Sequence, residues 1–134
     1  MNRDDFKMLE DNKLIYFDNG ATTLKPNQMV DSIVEYYTKY CANAHRGDYH
    51  NSAIVDEKYE SVRDKIKNFI NAHDKSEIVF TSGATDGLNR IVFGYFEHKL
   101  TSGDEVLITE SEHASNVLPW LILADKIGIK VKYI

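Results

Sequence analysis

The chain has 134 residues, 43% of them apolar, with 16 Lys and Arg against 21 Asp and Glu and a net charge of −5. This balance is that of an ordinary globular protein and excludes a disordered or fibrous chain. It also argues against nucleic-acid or anionic-membrane surfaces, which need clustered Lys and Arg. A folded chain of this length buries roughly two-thirds of its unfolded surface, enough for a core without disulfides or a structural metal.

Cys41 is the only cysteine, so no internal disulfide can form, and Met1 to Lys13 lacks the apolar run of a secretory signal. A cytoplasmic location is the expectation. The longest apolar stretch, Val117 to Ala124, falls far short of the roughly 20 residues that span a bilayer.

After the polar leader, Leu14 to Phe17 predicts a short strand that stops at the Asp18-Asn19-Gly20 turn signal. Pro26 opens a helix with Val30, Ile33, Val34, Tyr37 and Tyr40 on one face. Cys41, at the end of that face, reads as a buried, inert thiol. The polar loop Asn43 to Asn51 leads to a helix over Ser52 to Ala72, with a narrow stripe of Val55, Tyr59, Val62, Ile66 and Phe69.

From Glu77 the period changes. Ile78 to Thr81 predicts a buried strand, Ser82 to Gly87 a tight turn, and the following helix turns Leu88, Ile91, Val92 and Tyr95 inward. The pattern repeats with a strand over Glu105 to Thr109, a helix over Ser115 to Ile127 stopped by Gly128, and a strand beginning at Lys130. Strands alternating with helices predict an α/β fold with a parallel sheet, whose ligands sit beyond the carboxyl ends of the strands. Ser82 to Gly87 and Glu110 to Asn116 occupy that position.

A helix starting near Thr85 offers unpaired N–H groups and its positive dipole end to one phosphate, yet the same residues are the ordinary ones of a capped helix. The turn matches neither a P-loop nor a dinucleotide fingerprint. His113 faces the same crevice, and no spacing around it makes a metal site or a triad. The loop Ala44 to His50, with His45 and Arg46, is rich in anion-recognising groups or is simply a solvated connection.

Taken in order, the motifs resemble the amino-terminal third of a cysteine desulfurase of the sulfur-mobilising, SufS-like group, within the class V aminotransferases that use pyridoxal 5'-phosphate (PLP). Tyr16 to Pro26 resembles Y-L-D-N-A-A-T-T-x-K-P, Asn43 to Gly47 resembles N-x-H-R-G, and Tyr59 to Arg63 resembles Y-E-x-x-R. Ile78 to Asn89 is similar to I-V-F-T-x-G-T-T-E-x-I-N. Gly103 to Val106 with Glu112 to Trp120 is similar to G-D-E-V followed by E-H-H-x-N-x-x-P-W. The resemblance implies part of the large domain of a fold-type I PLP enzyme, a mainly parallel sheet with flanking helices. Residues 1–26 would form an N-terminal segment with a substrate-side turn, and 27–134 an incomplete PLP-binding domain.

It further implies that Ala84 and Thr85 hold the cofactor phosphate, that His113 stacks on the pyridine ring and shuttles a proton, and that Asn19, Gly20, Ala21, His45 and Arg46 line the substrate side near a dimer interface. The full enzyme would be a homodimer that converts L-cysteine to L-alanine and passes sulfur through a cysteine persulfide to an acceptor protein for iron–sulfur cluster assembly. Four positions depart from the pattern. Ala84 replaces a Thr, Gly20 replaces an Ala, and Ala114 and Tyr49 stand where relatives commonly have His. The family's cofactor-linked lysine, pyridine-pairing aspartate and persulfide cysteine all lie beyond the position matching Ile134, so this chain is expected to be an inactive fragment with one strand lacking its neighbours. A selenocysteine lyase, an epimerase-like class V enzyme and a non-catalytic interaction domain are the alternatives.

Overall fold

The computed structural model describes residues 2–10 and 13–134; residues 1, 11 and 12 of the polar leader lie outside them. The chain divides into two compact units, Met1–Ile78 and Val79–Ile134.

The first unit is helical. A short turn, Arg3–Asp5, precedes α1 (Lys7–Glu10), and Asn27 at the start of α2 (Asn27–Glu35) ties both down. Its side-chain oxygen accepts from the Lys7 N–H at 2.6 Å, and its amide donates to the Asp4 carbonyl at 3.0 Å. Pro26 precedes α2, where its missing N–H costs nothing. The helix then widens into a π turn over Tyr36–Tyr40. α3 (His50–Ile70) follows, closed by Asn71 in the left-handed conformation, a residue type that tolerates it.

Tyr40, Ala42 and Val55 form the small core of this unit, with half-buried Tyr36, Ala44 and Ile54 against it. The apolar face of α2 exists as the spacing requires, but Val30, Ile33, Val34 and Tyr37 are exposed on it. On α3 the stripe is buried only at Val55, and Phe69 at its far end is 91% exposed. Cys41 is exposed rather than buried. The wide turn ends at Tyr40, so position 41 no longer lies on the helical face from which its burial was inferred.

The second unit carries α4 (Ala84–Gly94), β1 (Glu105–Ile108), α5 (Leu118–Ile127) and β2 (Lys130–Tyr133). β1 and β2 pair in parallel with Val106 opposite Val131, so β1-α5-β2 is one βαβ unit. Val92, Ile108, Trp120, Leu123 and Ile129 make its core, and Leu123 and Val92 are fully buried. Phe96 packs its ring 5.4 Å from that of Trp120. This core takes Val92 of α4 and Phe96 of the short turn after it. Of the face expected inward, Val92 is buried and Leu88 half-buried, while Ile91 and Tyr95 are exposed.

The strands expected at Leu14 to Phe17 and Ile78 to Thr81 do not form among the described residues. Ile78 has extended dihedrals, and its carbonyl accepts from the Arg63 guanidinium instead of from a ladder. Residue choice makes a segment extended, but a strand also needs a neighbour to bond to. No helix among the described residues is long and apolar enough to cross a membrane.

Candidate active site

In the second unit α4 packs against the short turn Ala114–Asn116 that precedes α5. Between them lies an open cleft of about 550 Å³, lined by Ser82 to Asp86 and Leu88 on one side and by Glu112, His113, Ser115 and Asn116 on the other. Ala84, Thr85 and His113 therefore share one cleft. The two segments that follow predicted strands meet here, although only the second strand is formed.

The α4 side of the cleft is the start of a helix. Gly83 precedes it, and a Cβ built there would meet nothing within 4 Å, so the space before the helix is open. The first-turn N–H groups have no carbonyl partners inside the helix and point into that space. Two side chains hold the turn from behind. Asn89 donates to the Thr85 carbonyl at 2.8 Å, and the Thr81 hydroxyl donates to the Gly83 carbonyl at 3.1 Å. Asp86 takes up the Ser82 N–H at 3.1 Å and accepts from the Arg90 Nε at 2.8 Å. The Ser82 N–H, and after it the Arg90 guanidinium, hold the Asp86 carboxyl below its ordinary value.

On the facing side, His113 Nδ1 accepts from the Ser115 N–H at 3.1 Å and also meets the Ser115 hydroxyl. A backbone N–H can only donate, so the neutral imidazole carries its proton on Nε2. Beside it Glu112 accepts from Thr109 at 3.2 Å and from Asn116 at 3.0 Å. The cleft lining includes no Lys or Arg. An anion held there would rest on N–H groups, the helix dipole and the Thr85 hydroxyl. Both carboxylates of the lining are already engaged by donors.

The remaining sequence candidates belong to the first unit. Asn19, Gly20 and Ala21 form an exposed turn in which Ala21 and Thr22 donate to the Asp18 carbonyl at 3.2 and 3.0 Å. Thr23 adds a bond to the Asn19 carbonyl at 3.3 Å. His45 has a φ of 60°, uncommon for a non-glycine residue, and α3 holds it there. Asp56 accepts its N–H, Nε2 lies 3.4 Å from Glu60, and Tyr59 meets the ring edge-on at 5.6 Å. Fully buried Ser52 donates to the Asn43 carbonyl at 3.2 Å and pins the same loop. The His45 ring thus faces α3, whereas Arg46 is exposed.

Glu60 is the hub of this face, 3.2 Å from Arg63 and 3.4 Å from Lys75. Desolvation raises its carboxyl, but Lys75 and Arg63 outweigh that and hold it below the ordinary range. Asp86, Asn89, Glu112 and Asn116 lie within the motifs, and the resemblance assigns them no role. Their signal is spacing, since Thr85/Asn89, Asp86/Arg90 and Glu112/Asn116/Trp120 are each four residues apart. Among the described residues no cluster of three or more His, Cys, Asp or Glu is placed to hold a metal ion.

Residues 15–134 match the family model described as aminotransferase class-V. The chain belongs to the class V aminotransferase family. A protein of Borreliella burgdorferi named "probable cysteine desulfurase" is 45% identical over 97% of this chain and 32% of its own length. The apo structure of a cysteine desulfurase from Thermococcus onnurineus superposes with a TM-score of 0.90 at 42% identity, over 98% of this chain and 32% of that one. A cysteine desulfurase from Escherichia coli gives a TM-score of 0.82 at 34% identity, over 98% of this chain and 33% of its own. The chain spans about a third of the length of the relatives it matches.

Proposed function

We propose that this class V chain is the cofactor-phosphate part of a PLP-dependent cysteine desulfurase of the SufS-like type. The observation that carries the reading is the single cleft that brings Ala84 and Thr85 opposite His113. The identities to cysteine desulfurases support the substrate assignment, L-cysteine converted to L-alanine with sulfur passed on for iron–sulfur cluster assembly.

The residues present fit the cofactor. The open helix start offers N–H groups, dipole and the Thr85 hydroxyl to a phosphate, and the space before it at Gly83 is open. His113, fixed at Nδ1, presents a ring to stack and keeps Nε2 as the nitrogen that moves a proton. When bound, PLP supplies the electron sink for bond breaking at the substrate Cα. Asn19, Gly20, Ala21, His45 and Arg46 belong to the substrate side of this reading. Residues 1–26 are its N-terminal segment, and 27–134 are the front of its large domain. The full enzyme is a homodimer in the cytoplasm that hands sulfur to an acceptor protein. By the family's motifs none of these 134 residues is the cofactor-linked lysine or the persulfide cysteine, and the chain by itself is inactive.

PLP titrated into the chain and followed by its absorbance gives a saturable complex, and Thr85→Ala weakens it roughly tenfold or more, the worth of one hydrogen bond to a charged group at about 1.5–3 kcal/mol. A linear, non-saturating response, or a Thr85→Ala chain that binds as before, sinks the reading.

A further inference from the structure

Glu112, next to His113, closes a relay of donors. Its carboxylate accepts from the Thr109 hydroxyl at 3.2 Å and from the Asn116 amide at 3.0 Å, and the Asn116 oxygen accepts from the Trp120 indole at 3.3 Å. The polarity of this relay has one solution. An indole N–H only donates, so Asn116 turns its oxygen to Trp120 and its NH₂ to Glu112, which as a carboxylate only accepts. Trp120 is 9% exposed and sits in the core of its unit, so the relay is anchored in packed side chains at one end and in the loop at the other.

Between these ends lies the turn Ala114–Asn116, and it is this turn that aims the Ser115 N–H at His113 Nδ1. The relay grips it from both sides, Glu112 before it and Asn116 as its last residue. We propose that Glu112 is a positioning residue for His113. Through Asn116 and Trp120 it clamps the turn so that Nδ1 is held as an acceptor and Nε2 is the nitrogen that carries the proton. An imidazole without this clamp divides its proton between two nitrogens and offers the wrong one part of the time. The inference shares its histidine with the function proposed above, but its test is made on the chain with no cofactor added.

Magic-angle-spinning ¹⁵N spectra of the histidine-labelled chain, recorded near pH 8 where an ordinary imidazole is neutral, read each ring nitrogen whatever the size of the assembly. His113→Asn identifies the His113 signals. The unaltered chain gives a protonated Nε2 and an unprotonated Nδ1. Glu112→Ala loses that distinction and speeds exchange of the indole proton of Trp120, the only tryptophan. Glu112→Gln keeps both, because its oxygen still accepts from Asn116 and the Thr109 hydroxyl can rotate to accept from its NH₂. An unchanged His113 pattern in Glu112→Ala overturns the proposal. So does a Glu112→Gln that behaves like Glu112→Ala, which would make charge rather than positioning the role of the carboxylate. If Glu112→Ala fails to fold, Asn116→Asp, nearly isosteric, still accepting from Trp120 but with no donor for Glu112, is read the same way, and an unchanged pattern there overturns it. Loss of PLP binding with the His113 pattern intact counts against the cofactor reading alone.

Discussion

Gly128 shows how much of the second unit hangs on one backbone conformation. It ends α5 with a φ of 78°, donates to the Ala124 carbonyl at 2.9 Å and accepts from the Gly103 N–H at 2.9 Å. A Cβ there would lie 2.7 Å from the Ser102 Oγ and 3.3 Å from its Cβ. The hydroxyl can rotate away, but the Cβ contact and the left-handed backbone remain. Gly128→Ala is therefore expected to cost about 1–3 kcal/mol, seen as a lower urea midpoint with an unchanged slope. The sequence announced this residue as a helix stop, since glycine after a periodic apolar run has that meaning. Nothing in it announced Ser102 as the neighbour, because that contact depends on how β1 and α5 come together. His45 is the opposite case. Its motif was legible, but its left-handed backbone and its hold by Asp56 and Glu60 were not, since only the folded α3 brings those carboxylates to it.

Helices were easier to read than strands. α2 to α5 fall within a few residues of their expected positions, because a helix satisfies its own backbone and its period is written locally. Ile78 to Thr81 carries the composition of a strand but forms none, and on α4 Val92 is buried as expected while Ile91 is exposed, because both are apolar and only the βαβ unit selects between them. The clasp at the start of α4 was visible as the Asp86/Arg90 spacing, and its consequence is a pH dependence. The Ser82 N–H and Arg90 lower the Asp86 carboxyl, so its contribution is present above the ordinary value of about 3.9 and is lost only as pH falls through the lower, folded one. The Ser82 amide, followed by NMR, should stay protected from exchange at pH 5 and lose protection only once the pH falls below the ordinary carboxylate value. Asp86→Asn should remove that step, and an amide that titrates instead near neutral pH would show that another group holds the turn.

At the scale of the whole molecule, two units each bury a small core and leave apolar surface outside it. Ile15 and Ile134 are each 72% exposed, Phe17 is 92% and Val79 is 71%, and the α2 face adds Ile33, Val34 and Tyr37. Among the described residues the sheet has two strands, so each presents an edge with unpaired N–H and C=O groups, and a two-stranded sheet is marginal without further cover. Exposed apolar area of this kind mostly marks a surface that another chain or segment covers. Its charge of −5 opposes association only weakly, because about 8 Å of screening at physiological salt separates like charges on different faces. The chain by itself is therefore expected to associate as its concentration rises and to melt broadly, with added salt favouring the larger species. Sedimentation velocity across a concentration series, with a calorimetric scan of the same samples, decides it. A concentration-independent monomer with one sharp transition would mean that these faces are stable in water and that the two small cores suffice.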